Sequence, residues 1–310
     1  MTSGTPVALL DSDLQLGTGP GRVIALLGSS NGKYPSGNSV LVSGSEESIL
    51  IDPSITVAER GGVPARVDRM LVSHAHEDHL AGCATFPHAA LHSHHDDLLG
   101  LHSINGILDV YGFDDPVRSE WGKTLIRDFH YVDRPDATGY GDGHRFDLGG
   151  AMRVEVVHLP GHTRGHCGFL IEPDGVLFVA DVDLTSFGPY YGDHWSDLED
   201  FERSIDRVAT IDAKHYVTFH HKGVVSTRSE FLQQLAAFRA VINDREARFL
   251  TFLSETHSME EAVQHRFIYR QGVALPFADH VERRSMSLHL ARLLRTGQVI
   301  EVDPGRYRAA

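Results

Sequence analysis

Ser73-His74-Ala75-His76-Glu77-Asp78-His79 follows directly on Val67 to Val72, an apolar, β-branched run that reads as a buried strand. Three histidines and two carboxylates therefore sit where a strand gives way to a loop, the place where catalytic groups concentrate. Farther along, His162 stands in Pro160-Gly161-His162-Thr163, Asp181 closes Phe178-Val179-Ala180-Asp181, and His221 stands in Phe219-His220-His221-Lys222-Gly223. Each of these ends a strand-like run. Neutral imidazole is the commonest protein metal ligand. The seven groups His74, His76, Asp78, His79, His162, Asp181 and His221 exceed what one tetrahedral zinc accepts. Two metal ions are implied, and the ligand set admits zinc, iron or manganese, with zinc the expected one.

Working outward, Val23 to Leu27, Ser39 to Val42 and Ile49 to Ile51 are short apolar runs separated by Gly, Ser, Asn and Pro, the pattern of strands joined by turns. Asp96 to Val110 reads as helix, and the stretch to Arg145 reads as a helical insertion or lid over residues 95–145. Strands resume at Arg153 to His158, at Phe169 to Glu172 and at Val176 to Ala180, the last two joined by the turn Pro173-Asp174-Gly175. A helix over Asp197 to Ala209 and a strand at Tyr216 to Phe219 follow. Gly17 to Gly21 lacks the lysine and the strand-loop-helix context of a phosphate loop and reads as a turn.

After Gly223 the periodicity changes. Phe231, Leu235, Phe238 and Ile242 fall on one helix face, a core or dimer contact. Ser258-Met259-Glu260-Glu261 is a capping-box signature. Ser287 to Thr296, stopped by Gly297, precedes a strand-turn-strand pattern around Asp303-Pro304-Gly305. That is the outline of a winged helix. The division expected is 1–225 and a helical, winged-helix-like extension over 226–310.

Composition narrows the chemistry. The 310 residues carry 28 Lys+Arg against 42 Asp+Glu, a net −14, which opposes wide nucleic-acid or anionic-membrane surfaces. No run reaches the length of a membrane span, and the start of the chain lacks a secretory pattern, so a cytoplasmic location is expected. Cys83 and Cys167 are the only cysteines beside 21 histidines, so any metal is held by nitrogen and oxygen. The cysteines read as small buried hydrophobes.

The assembled pattern resembles the metallo-β-lactamase superfamily, whose signature is HxHxDH with a later His, an Asp and a final His, over roughly residues 20 to 225. The resemblance implies an αβ/βα four-layer sandwich with a C-terminal helical extension. It assigns His74, His76 and His162 to the first metal, Asp78, His79 and His221 to the second, and Asp181 as the bridge. The final ligand falls on the adjacent pair His220 and His221, of which His221 is the expected one. The likeness further implies a hydroxide shared by two cations attacking a carbonyl, with Asp78 as the catalytic proton acceptor. Asp181 stands where many antibiotic-hydrolysing members carry Cys or Ser, so the thioesterase, glyoxalase II and lactonase branches fit better, with a small-molecule acyl-CoA-type thioester favoured.

Gly188-Pro189-Tyr190-Tyr191-Gly192 resembles the segment after the bridging Asp in acyl-thioester hydrolases, making Tyr190, Tyr191 and Trp195 candidate substrate contacts. His166 is a candidate support for the ligands. The cluster His88, His92, His94 and His95 lacks a completing carboxylate pattern and reads as solvent-facing imidazoles or as supports behind the ligands. The rival readings are a nuclease, kept alive by Arg283, Arg284, Arg292, Arg295, Arg306 and Arg308 in the tail, a mononuclear iron sulfur dioxygenase, and a catalytically silent ligand-sensing homologue.

Overall fold

A computed structural model describes residues 6–17, 19 and 21–310; Thr18 and Pro20 of the expected turn at 17–21 lie outside the described residues, as do residues 1–5. The first sheet has the order β1 (Leu14–Leu16), β2 (Arg22–Leu26), β3 (Ser39–Ser43), β4 (Ser48–Ile51), β5 (Arg69–Leu71), β6 (Ala90–His94) and β7 (Thr138–Tyr140). It is antiparallel from β1 to β4 and parallel from β4 to β7. The second sheet holds β8 (Arg145–Asp147), β9 (Arg153–His158), β10 (Cys167–Glu172), β11 (Val176–Phe178), β12 (His215–Val217) and β13 (Val224–Val225), sequential in space, with β11 and β12 parallel.

Strand alternation explains the layering. Val23 and Ala25 of β2 join Val40, Ile49, Val154, Phe169 and Phe178 in the core between the sheets. Ile24 and Leu26, pointing the other way, pack with Leu101, Ile107, Val110 and Leu125 from helices on the outer face. Strands buried on both faces read as unbroken apolar runs, which is why β2 to β5 carry no alternation. On the outer face of the second sheet, Val157, Leu177 and Tyr216 meet Phe201, Ile205, Phe231, Leu235, Phe238 and Ile242. The result is the expected sequence of helices, sheet, sheet and helices.

The expected helix at Asp96 to Val110 is two helices, Leu98–His102 and Ile104–Tyr111, divided where the Ser103 side chain caps the second by accepting from Gly106 N. A third, Val117–Asp128, completes the 95–145 interval. The Leu198–Thr210 helix is capped by Asp197, and the Ser258–Glu261 capping box is formed. The long Arg228–Phe252 helix serves two cores: its first half packs on the second sheet, while Phe249 joins Phe267, Met286, Leu290 and Leu293 in a separate C-terminal cluster. The tail ends with the Ala278–Arg295 helix and the antiparallel pair β15 (Val299–Asp303) and β16 (Arg306–Ala309), flanked by β14 (His257–Ser258). Among the described residues no helix is long and apolar enough to cross a membrane.

Candidate metal centre

The histidine and aspartate loops leave β5, β9, β11 and β12 and converge at one edge of the sandwich. His74 Nε2, His76 Nδ1 and His162 Nε2 lie 3.0 to 3.1 Å from one another. A tetrahedral ion with bonds of about 2.0–2.1 Å spaces its ligand nitrogens about 3.3–3.4 Å apart, so this triangle is close to one face of such a shell. A second trio, Asp78, His79 and His220, brings its ligand atoms within 4.8 Å of one another. Asp181 faces both: one oxygen is 3.1 Å from His79 Nε2, the other 3.4 Å from His162 Nε2.

The donor chemistry fits metal ions. His79 Nε2, Asp78 Oδ2 and Asp181 Oδ1 are buried without hydrogen-bond partners, although His220 Nε2 is 3.0 Å from Asp78 Oδ2. Groups that approach this closely with the wrong angles for hydrogen bonds are aimed at a common third atom. Four of the five imidazoles also have their other nitrogen hydrogen-bonded. His79 Nδ1 meets Asp52 Oδ2 at 2.7 Å, His74 Nδ1 meets Ser73 Oγ at 3.0 Å, His162 Nδ1 meets the Tyr190 carbonyl at 2.9 Å, and His220 Nδ1 meets the Gly32 carbonyl at 2.7 Å. His76 Nε2 faces Asp193 Oδ2 at 3.0 Å. Such partners fix the tautomer and aim the remaining lone pair inward.

The loops are tied to each other by buried carboxylates. Asp52 accepts from Ser73 N and Ser73 Oγ, both at 2.6 Å, joining the ends of β4 and β5. Asp97 accepts from Ala75 N, Thr163 Oγ1 and Gly165 N, joining the His74–His76 loop to the His162 loop. His166 accepts from Asp181 N at 3.2 Å while its Nδ1 meets the Leu159 carbonyl, so it holds Asp181 through the backbone. Gly161, at φ +125°, is required: a Cβ there would stand 2.2 Å from Phe201 N.

Charge completes the arrangement. Burial, with the neighbouring imidazoles, holds His74 well below its ordinary value, and burial brings His162 down to about 4, leaving both neutral. Burial pushes the Asp78 and Asp181 carboxyls up, but His79 and His220 outweigh it and keep both below the carboxylate range. Burial and the Asp78 charge raise Glu77, which accepts from the hydroxyls of Tyr34 and Tyr111.

His221 is corrected to His220. The chain reverses at His221 in the left-handed region, φ +64°, which turns its ring to solvent. Thr218 Oγ1 and Lys222 N both donate to the His220 carbonyl, and the contact with Gly32 turns the buried His220 ring inward.

Of the expected substrate contacts, Tyr190 borders the centre, its hydroxyl donating to Asp193 at 3.1 Å. Tyr191 and Trp195 are core residues: the Tyr191 hydroxyl meets His289 Nε2 at 2.9 Å inside the second outer layer, and Trp195 packs in the first. Cys83 and Cys167 are buried and free. His94, Asp96 and His158 cluster elsewhere, but the His94 and His158 rings stack 7° from parallel, so their in-plane lone pairs do not converge. Sequence reasoning missed Asp52, Asp97 and Asp193. Only Asp52 left a trace, as an aspartate closing the apolar run Ile49 to Ile51.

A family model described as the metallo-beta-lactamase superfamily matches residues 33–221. A metallo-beta-lactamase family protein from Thermus thermophilus is similar with a TM-score of 0.66 at 21% identity, over 98% of this chain and 100% of that one. A beta-lactamase domain protein from Burkholderia ambifaria gives 0.65 at 19%, over 96% and 94%. A metallo-beta-lactamase from Cronobacter sakazakii gives 0.55 at 17%, over 79% and 96%. At these identities the likeness shows the fold alone. No curated protein matches the chain. With the family model covering more than half its length and the ligand trios assembled as described, the chain belongs to the metallo-beta-lactamase superfamily.

Proposed function

We propose that the protein is a dinuclear metal-dependent hydrolase of thioester or lactone carbonyls, acyl-coenzyme-A-type thioesters favoured, with zinc the expected ion. The observation that carries the reading is the pair of trios facing a shared Asp181, four of the five imidazoles having the second nitrogen hydrogen-bonded. Divalent ions held there would supply Lewis-acid polarisation of a carbonyl and a water acidic enough to attack near neutral pH.

The remaining work falls to the chain. Asp78, a buried carboxylate of the second trio beside His79 and His220, is the proton acceptor. Glu77, clamped by two phenols, orders the wall behind it. A thiolate or lactone alkoxide departs without a strong leaving-group acid, which suits a site built of carboxylates, imidazoles and phenols. The carboxylate at Asp181, where the resemblance puts Cys or Ser in many antibiotic-hydrolysing members, supports the same branch.

The nuclease reading loses its main support. Arg283, Arg292, Arg295 and Arg306 pair with Glu260, Glu246, Glu199 and Glu261 within the chain. Arg284 donates to backbone carbonyls of Asp193, His194 and Ser196. The tail's positive balance is largely consumed by its own packing.

Metal analysis of purified protein, joined to a panel of acyl-CoA thioesters, acyl-homoserine lactones, S-lactoylglutathione and a cephalosporin, tests the reading. Two ions per chain with thioester or lactone cleavage is expected. One iron with oxygen uptake, or cleavage of the cephalosporin alone, overturns it.

A further inference from the structure

Beside the metal centre lies a recess that none of the foregoing uses. The Arg228–Phe252 helix, the segment 267–273 and the turn at 186–187 enclose a cleft of about 590 Å3. Its apolar surface comes from Phe187, Val241, Phe267 and Val273, and its charge from Arg245, Arg248 and Arg270 against the single carboxylate of Asp244. Three cations less one anion leave +2, in a chain whose total is −14.

Two of the arginines lack an acid. Arg245 is 2% exposed, and its guanidinium donates to the carbonyls of Pro189 at 2.5 Å and Phe187 at 2.6 Å while lying over the Phe187 and Tyr191 rings. No carboxylate among the described residues forms an ion pair with it, nor with Arg270, which is exposed at the rim; Arg248 alone pairs, with Asp244 at 2.9 Å. A buried guanidinium compensated only by neutral dipoles leaves a positive potential in the recess beside it. The planar fork of arginine matches phosphate and carboxylate oxygens.

The recess shares a chain segment with the metal centre. Phe187 and Tyr269, which share the cleft wall, have ring centroids 6.0 Å apart. Three residues beyond Phe187, the Tyr190 carbonyl meets His162 Nδ1. Three residues of chain span at most about 11 Å. The Phe187 end of the cleft wall is therefore no more than about that distance along the chain from the carbonyl that touches His162.

We propose that this cleft is an anion subsite, holding a phosphate or carboxylate carried on the leaving-thiol arm of the substrate. The proposal rests on the thioester reading of the metal centre and narrows its substrate class. The Arg245 guanidinium supplies a fixed positive floor, Arg270 closes over the anion from the rim, and the apolar wall accepts the methylene and amide parts of the arm.

The test uses metal-loaded full-length protein and thioethers that cannot be cleaved: S-methyl-coenzyme A, which carries phosphates, S-methylglutathione, which carries carboxylates, and neutral S-methyl-N-acetylcysteamine. Calorimetric binding of either anionic thioether, weakened by salt and weakened tenfold or more by Arg270→Glu, is expected, and the tighter of the two identifies the anion. Binding of neither, or binding indifferent to Arg270→Glu, overturns the subsite. In kinetics the same variant is expected to raise tenfold the ratio of KM for an acyl-CoA to KM for the matching acyl-N-acetylcysteamine thioester. Cleavage of the neutral thioester with that ratio unchanged sinks the subsite and leaves the hydrolase standing. Arginine-dependent thioether binding with no thioester cleaved does the reverse.

Discussion

Replacing His220 by alanine removes the ring whose Nε2 lies 3.0 Å from Asp78 Oδ2 and whose Nδ1 meets the Gly32 carbonyl at 2.7 Å. Removing a group that merely orients a metal ligand costs about 10–100-fold in affinity, and a ligand itself should cost at least the upper end. A loss of about 100-fold corresponds to about 2.7 kcal/mol at the second metal position. His221→Ala removes an exposed ring, and the affinity should stay within about twofold. Competition against a chromophoric chelator, with metal counted by mass spectrometry, separates the two variants. Thermal unfolding of the chelated proteins controls for folding, where His220→Ala forfeits the Gly32 hydrogen bond, about 1 kcal/mol, together with its buried pairing to Asp78. Loss of one ion in His221→Ala with both retained in His220→Ala would refute the assignment.

Other perturbations test the supports. Asp52→Asn should weaken metal binding about 10–100-fold in the same chelator assay, because one of its three accepted contacts, from Ser73 N, Ser73 Oγ or His79, must then face an amide donor. Asp78→Asn should lower kcat by about 10²–10⁴ on any substrate found. Arg245→Met, which strands the carbonyls of Phe187 and Pro189, should destabilise by about 2–4 kcal/mol in urea unfolding. Burial, then the Arg69 guanidinium, holds His92 down to about 4. Between that value and its ordinary 6.5 the unfolded chain binds a proton the folded chain refuses, so folding weakens as pH falls through this window. His92→Gln should flatten the acid side of a urea-midpoint profile; an unchanged slope counts against it.

Periodicity and strand ends carried the architecture, because β2 to β5 are buried on both faces and leave uninterrupted apolar runs that terminate in the ligand loops. The strands β1, β7 and β8 escaped notice because their three residues stand among turn-forming and polar neighbours, whereas β5, β11 and β12, equally short, lie inside longer apolar runs. Six of the seven expected ligands converge in space. The seventh slipped by one residue because its direction depends on a left-handed turn at a histidine, which side-chain identity does not announce. Asp97 and Asp193 were invisible for a related reason: Asp97 accepts from the Thr163 hydroxyl and the Gly165 amide, 66 and 68 positions away, and Asp193 faces His76 from a distant loop, so in a list of residues each looks like any loop acid.

Arg245 makes the far end of the chain a keystone. The carbonyl that steadies His162 hangs from the stretch Phe187 to Tyr190, and that stretch is gripped by a guanidinium from the long helix and by Tyr191 through His289 and Glu246. A fragment ending near residue 225 would retain every imidazole and carboxylate of the centre, yet the arch over them would have nothing to lean on. Swapping this tail for that of a relative would therefore retune the catalyst as well as redecorate its rim.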